Sequence, residues 1–513
     1  MTTTSGPQRH HGHQAEADLH EKGLRAGSVG LIGGMVLGIS SVAPAYALTA
    51  TIGILVAEAG DKMAVVIIAG FLPMFFAAYA YRELNSVAPD CGTSFTWTTK
   101  AFGPYVGWIG GWAAILATVI VLSNLAGVAV QFFYQFIGEV TGSENISTLW
   151  ENRVVNVVTC LAFLAIATFV AYRGITTTER VQFILVGFQM VILLVFAVAA
   201  LIKSGSSATG LSFSWSWFSP SGLALSAFIA GLSGSIFAFW GWDTSLTVNE
   251  ESKDSDTTPG RAALLCVVSI LLTYLLVAIA TQMYAGVGEE GLGLGNPEIE
   301  ENVFGALAEP VLGSPLNLFL FLAVLASSAA SLITTFLPSS RTMLAMGAYR
   351  AFPQRFATVH PRFLTPSFAT LAAGVGAAAF YAVLTFASEN VLTDTIYSLG
   401  IMICFYYGLV AFACIWYFRH ELTRSASDFV YKLLFPLLGG LGLALVFFIT
   451  LRDSASPDYG SGASVFGVGL VLVLGLGLIA IGLLFMLWQR SRDPAFFRGE
   501  TLVKDTPALV VEE

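Results

Sequence analysis

Along the chain, long apolar stretches alternate with short polar ones. Apolar runs occupy roughly 28–57, 62–82, 104–138, 154–172, 178–202, 221–249, 262–286, 315–345, 367–387, 393–418, 431–451 and 463–488. A spanning helix needs about 20 mostly apolar residues, and hydrocarbon leaves no backbone polar group open. Each run therefore predicts a membrane helix rather than a lipid-facing sheet. About twelve such runs bring both termini to the same side. Residues 1–27 hold no such run and predict a disordered polar tail with no cleavable signal; residues 489–513 predict a second tail.

Composition narrows the class. Of 513 residues, 56% are hydrophobic and only 11% charged, with a mean hydropathy of +0.75, whereas soluble domains carry about 25% charged residues. This excludes an ordinary soluble enzyme, a nucleic-acid binder and a disordered scaffold. Position gives the charges their meaning. Threading the chain through twelve spans places 20 of the 24 Lys and Arg residues on the side of the termini and four (Lys62, Arg153, Lys203, Arg452) on the other. The loop at 287–314 carries six Glu and no base. The positive-inside rule then predicts a multi-pass protein of the cell membrane with both termini cytoplasmic. The five cysteines show no CxxC spacing and read as small buried hydrophobes rather than a disulfide or metal framework.

Two runs are punctuated. The first contains Gly38-Ile39-Ser40-Ser41-Val42-Ala43-Pro44; the sixth contains Gly231-Leu232-Ser233-Gly234-Ser235, then Phe237-Ala238-Phe239-Trp240-Gly241. Small residues in one membrane helix serve close packing. A pair of interruptions five helices apart instead predicts a transporter built from two inverted five-helix repeats. The first repeat covers 28–202, the second 203–418, and two further spans occupy 419–488.

Unwound backbone inside a membrane exposes amides at one half-helix and carbonyls at the other, and the helix dipoles add to both. Ile39, Ser40, Ser41, Val42, Ala43, Phe237, Ala238, Phe239 and Trp240 form the candidate binding set. A carboxylate would rest on amides near Ser40–Ala43, and an ammonium on carbonyls near Ile39 and Phe237–Phe239. Asp243 is the one clearly intramembrane acid, either a functional group or a structural acceptor near the mouth. Phe237 flanks the break and is the candidate gate, whereas the neighbouring aromatics read as core or belt.

At these residues the chain resembles the amino acid–polyamine–organocation superfamily, in particular bacterial amino-acid permeases. Phe237-Ala238-Phe239-Trp240-Gly241-Trp242-Asp243, followed by Glu250-Glu251-Ser252-Lys253 and Pro259, is similar to that family's sixth-span signature. Val87-Ala88-Pro89-Asp90-Cys91-Gly92, with Phe102-Gly103, Gly107-Trp108 and Gly111-Trp112, resembles its approach to the third span. Arg341-Thr342-Met343-Leu344-Ala345-Met346 with Pro353 resembles its motif after the eighth. Similarity runs from about 25 to 420. It implies an all-α LeuT-type fold of about twelve helices, a 5+5 inverted repeat with broken helices 1 and 6, and secondary transport or exchange of amino acids or amines. It also implies a substrate-covering aromatic at Phe237. Many relatives carry a Gly-Ser-Gly-like first break where this chain has Ile-Ser-Ser-Val-Ala-Pro, so its pocket should be narrower. Alignment from Gly174-Ile175-Thr176 onward sets Gln189 where some proton-coupled members carry a lysine between the first and eighth spans. Gln189 cannot take a proton at physiological pH. Ser327, Ser328 and Ser331 on the eighth span offer oxygens for a sodium ion, or bond their own backbone.

The expected function is an amino-acid permease working by alternating access, with H+ or Na+ as the coupling ion and no other cofactor. The alternatives are a polyamine, choline-like amine or γ-amino acid carrier of the same fold, or a non-transporting nutrient sensor. With no histidine in any span, no catalytic constellation is expected. The partners are a small-molecule substrate and the lipid bilayer, not nucleic acid, for a monomer or homodimer.

Overall fold

The structure is a computed structural model that describes residues 22–387 and 391–507. Twelve helical passes are seen among these residues. Span 1 is Leu31–Val42 plus Pro44–Ala59, span 2 Met63–Val87, span 3 Pro104–Thr141, span 4 Arg153–Arg173, span 5 Ile175–Ser204, and span 6 Leu225–Ala238 with Thr244–Thr247. Span 7 is Thr258–Ala285, span 8 Asn317–Thr334 continued by Phe336–Ala348, span 9 Ser367–Ala387, span 10 Val391–Tyr417, span 11 Phe435–Asp453 and span 12 Leu470–Arg492. Ten stretches among the described residues are long and apolar enough to cross a bilayer by length and composition. Residues 31–87 fold back as two passes and span 6 is short, which accounts for the difference.

Local chemistry sets the ends. Proline occupies the first turn of the second half of span 1 and of spans 3 and 7, where its missing N–H costs nothing. Asn152 caps span 4, its Oδ1 accepting from Val154 and Val155 N–H at 3.1 and 3.2 Å. Inside span 2, Pro73 leaves a carbonyl without its helical donor. Gly439 and Gly442 of span 11 bring that helix against Pro73, so close that a Cβ on either would lie 3.1–3.2 Å from it.

Burial sorts the spans into a wall and a core. In the second half of span 1, the residues from Pro44 through Val56 are buried without a gap. Span 4 buries only Val157, Cys160, Leu164 and Ala167. Spans 1 and 6 therefore lie inside the bundle and span 4 lines its outer wall. Residues 22–27, grouped with the polar tail in the sequence, are docked: Lys22 and Leu24 are buried. Val29 pairs in parallel with Ser252, and Ser28 and Val29 N–H donate to the Glu251 carbonyl at 2.8 and 2.9 Å. After span 12, Phe496 and Phe497 pack on Phe95 and Tyr105. The remainder of the two tails, 1–21 and 508–513, lies outside the described residues.

Candidate functional site

The interruption of span 1 is one residue wide. Helix continues through Val42, Ala43 turns left-handed (φ 55°, ψ 69°), and Pro44 starts the next half. A residue preceding proline is driven out of the right-handed helical region, and this ends the helix there. Ser40 and Ser41, expected in unwound chain, are helical.

In span 6 the helix ends at Ala238, and residues 239–243 form turns before Thr244–Thr247. The Gly231–Ser235 stretch, read in the sequence as part of the break, is continuous helix. Its small residues serve packing: a Cβ on Gly70 of span 2 would lie 2.2 Å from Ser235 Oγ, and one on Gly400 of span 10 would lie 2.0 Å from Ser233 Oγ. The true break carries Gly241 at φ 109°, which an L side chain strongly resists.

The two breaks touch. A Cβ on Gly241 would come within 2.9 Å of the Ser41 carbonyl carbon and 3.0 Å of Val42 N. Thr244 Oγ1 donates to Ser41 Oγ at 2.8 Å, and Ser245 Oγ to the Gly34 carbonyl at 2.8 Å. Backbone from both breaks thus meets in one buried volume, where Ser40, Ala43, Phe239 and Trp240 are all shielded from solvent.

The leading amides of the second half of span 1 are met by side chains at long range. Ala45 N–H donates to Gln189 Oε1 at 3.5 Å, and Tyr46 N–H to Ser327 Oγ at 3.3 Å. Ser331 Oγ donates to the Ser41 carbonyl at 2.9 Å. Ser327 and Ser331, one turn apart on span 8, thus both bond span 1. Ser328 Oγ and Gln189 Nε2 are buried without a hydrogen-bond partner among the described residues.

Sequence reading missed Gln182. Its Oε1 accepts from Ser40 Oγ at 2.6 Å and its Nε2 donates to the Ala330 carbonyl at 3.2 Å, with Thr334 Oγ1 3.3 Å from Ser40 Oγ. Gln182 thus bonds both span 1 and span 8, alongside the direct bonds of Ser327 and Ser331, whereas the bond of Gln189 is to span 1. The two glutamines are seven residues apart, on one face of span 5.

Aromatics enclose the breaks. The Phe237 ring meets Tyr46 edge-on at 6.4 Å, from across the span 1 break. Phe239 packs on Phe71 and Tyr274, and Trp240 Nε1 donates to the Tyr406 hydroxyl. Asp243 is buried beside the Tyr407 hydroxyl, and its Oδ1 has no hydrogen-bond partner among the described residues.

The two ends of the bundle differ. On the side of the Glu-rich loop, a cavity of about 310 Å³ is lined by Asn124, Gln131, Asn156, Glu301 and Tyr381. Asn124 lies beside the Tyr46 hydroxyl, which links this cavity to the Phe237–Tyr46 pair. The opposite, basic end is closed by buried ion pairs. Lys22 Nζ lies 2.6 Å from both Asp90 Oδ2 and Glu250 Oε1, and Arg341 makes a two-pronged contact to Glu251 at 2.7 and 2.9 Å. Asp90 also accepts from Gly92 N–H, Thr96 and Tyr349.

Burial pulls the Lys22 ammonium down, but Asp90 and Glu250 outweigh it and hold its pKa well above the usual lysine range. Burial pushes the Asp90 carboxyl up, yet Lys22 and the surrounding donors leave it below the usual range. Glu250 remains raised, because burial and the Asp90 charge exceed the help it draws from Lys22. Asp90, Cys91 and Glu250 are close enough to bracket a cation, and the Lys22 ammonium already fills that place.

A family model described as amino acid permease matches residues 27–486. The low-affinity putrescine importer PlaP of Escherichia coli is 22% identical over 81% of this chain and 83% of its own length. The branched-chain amino acid permease BcaP of Lactococcus lactis is 23% identical over 72% of this chain and 78% of its own. Among solved structures, MhsT in complex with L-phenylalanine superimposes with a TM-score of 0.59 at 15% identity, covering 83% of this chain and 100% of that one.

Proposed function

Since the chain belongs to the amino acid permease family, we propose that it carries an amino acid across the cell membrane by alternating access, with both termini cytoplasmic. The observation that carries this reading is the contact between the two breaks. They join the C-terminal end of one half-helix to the N-terminal end of the next in a buried volume, with Asp243 at the end of the span 6 break. A carboxylate would take the Ala45 and Tyr46 amides from Gln189 and Ser327, whose 3.3–3.5 Å bonds are weak competitors. The ammonium would rest on carbonyls at the C-terminal ends of the first halves of spans 1 and 6, where the dipoles favour positive charge. Phe237 against Tyr46 would cover the bound substrate.

The same arrangement supports a coupling assignment. Gln182 is neutral, so no titrating side chain bridges spans 1 and 8 at this point. Ser327, Ser328 and Ser331 are left as oxygen donors for a sodium ion, and Asp243 as the proton-coupling alternative.

A diamine such as putrescine is the second reading. It is favoured by Glu301 on the wall of the external cavity and by the relative that imports putrescine. Uptake of labelled L-leucine, L-phenylalanine and putrescine into proteoliposomes, under separate sodium and proton gradients, decides between them. Saturable uptake of an amino acid that putrescine does not inhibit supports the first reading. Binding of any of the three without flux refutes transport.

A further inference from the structure

The bundle carries a second cavity that has no part in the site above. It is a groove of about 780 Å³ on the outer wall between spans 4 and 9. Leu161, Ala165 and Phe169 line it from span 4, and Leu371, Val375 and Ala378 from span 9. Phe169 is 57% and Val375 69% exposed, so these apolar side chains have no protein cover. Spans 4 and 9 touch on its floor, where a Cβ on Gly374 would lie 2.3 Å from Thr168 Oγ1.

Only one end of the groove is charged. Arg173 and Arg362 stand at the basic end, both stacked on Phe363 with guanidinium-to-ring distances of 5.6 and 5.7 Å; Arg173 also lies 4.8 Å from the Phe169 ring. Neither guanidinium has an acidic partner among the described residues. The titratable groups packed beside them are His360 and Tyr172. His360 stacks on Phe363 and accepts from the Arg362 N–H through Nδ1, and Tyr172 meets both rings edge-on.

The geometry points to a binding site for one anionic phospholipid, its acyl chains in the groove and its phosphate on Arg173 and Arg362. Length supports this occupant. From Leu161 to Arg173 the helix rises roughly 18 Å, close to the half-thickness of a hydrocarbon core about 30 Å across. The apolar part therefore spans one leaflet and ends where headgroups begin. Charge supports it as well: two arginines side by side at a lipid-facing interface attract an anionic headgroup and leave a zwitterionic one less favoured. Stacking on Phe363 holds both guanidiniums in place while leaving N–H groups to meet phosphate oxygens.

The test uses the full chain, purified and delipidated in detergent, with dioleoyl phosphatidylglycerol, dioleoyl phosphatidylcholine or glycerol phosphate added. Native mass spectrometry and thermal unfolding are the readouts. Phosphatidylglycerol should bind in preference to phosphatidylcholine and raise the unfolding temperature, and glycerol phosphate should do neither. Arg173→Gln with Arg362→Gln should abolish that preference, at about fivefold in affinity per guanidinium removed. The corresponding double change to lysine should retain part of it, which separates lost charge from misfolding. Val375→Trp, which fills the groove, should weaken both lipids alike. Equal binding of the two lipids to the unaltered protein overturns the proposal. So does stabilisation by glycerol phosphate alone, which would mark a plain anion site. A dimer in light scattering that Val375→Trp dissociates would assign the groove to a second copy and overturn it too.

Discussion

Single atoms decide much of the centre. Gly241 has no room for a side chain: its left-handed φ is costly for any L residue, and a Cβ would press on the Ser41 carbonyl. Gly241→Ala should therefore lower stability by about 1–3 kcal/mol and reduce uptake, as read from thermal unfolding and proteoliposome flux; unchanged values for both would mean that the two breaks separate easily. The glutamines allow a sharper comparison. Gln182→Leu removes two hydrogen bonds that tie span 1 to span 8, at about 1 kcal/mol each, and leaves the Ser40 hydroxyl and the Ala330 carbonyl with Thr334 Oγ1 as their remaining side-chain partner. Gln189→Leu removes a single bond of 3.5 Å. The first substitution should damage stability more than the second, and the reverse order in unfolding temperature would mean that the Gln182 bridge carries little of the stability. Phe237→Ala should raise the apparent KM for uptake with little change in unfolding temperature.

Elements show why sequence patterns located the breaks only approximately. In span 6, small residues occur in two clusters. The Gly231–Ser235 cluster keeps its helix because spans 2 and 10 press against it, and small side chains are what permit that approach. The 239–243 stretch unwinds, and Gly241 sits against the other break. Glycine marks both places, so only the neighbouring helices distinguish packing from unwinding. Gly70→Val tests the packing role. Its side chain would collide with Ser235 and should force spans 2 and 6 apart, giving a loss of folded, monodisperse protein in size-exclusion chromatography. Recovery of function in a Gly70→Val, Ser235→Gly double variant would confirm the direct contact. In span 1 the local sequence was sufficient, since Pro44 stops the helix whatever surrounds it.

The whole molecule is closed at its basic end by charges drawn from distant parts of the chain: Lys22 before span 1, Asp90 between spans 2 and 3, Glu250 and Glu251 after span 6, and Arg341 in span 8. Removing one partner of a buried pair strands the other, at about 3–5 kcal/mol. Lys22→Met should therefore destabilise strongly, and a chain shortened to begin at residue 22 should tolerate the loss far better than one beginning at residue 31. The pH dependence follows from the shifts. Asp90 is held low, so its contribution is present above the ordinary aspartate range and is lost as pH falls through its lowered value. Lys22 is held high, so its contribution is present below the ordinary lysine range and is lost only as pH rises past it. Glu250, held high, acts in the opposite sense to Asp90: ionising it costs stability as pH rises through the range above the ordinary glutamate value. Thermal unfolding should thus show a decline on strong acidification from the Asp90 pair, and Asp90→Asn should remove that limb while lowering the plateau.

The sequence by itself determined the membrane class, the number of passes, the sorting of the basic residues and the approximate chain positions of both interruptions. Each follows from local quantities: apolar length against bilayer thickness, the cost of an unpaired backbone group in hydrocarbon, and the fixed φ of proline. That Phe237 and the span 8 serines lie beside the breaks was also legible, because residue type and helical spacing are local. Only the tertiary structure decided that Gln182 bridges spans 1 and 8, that Gly231–Ser235 stays helical, that Lys22 is part of the closed end, and that two arginines cap a groove between spans 4 and 9. Those features depend on which helices become neighbours. Such pairings join residues up to hundreds of positions apart, Lys22 with Glu250 or Ser41 with Ser331, and no pattern along a single helix encodes the distance between them.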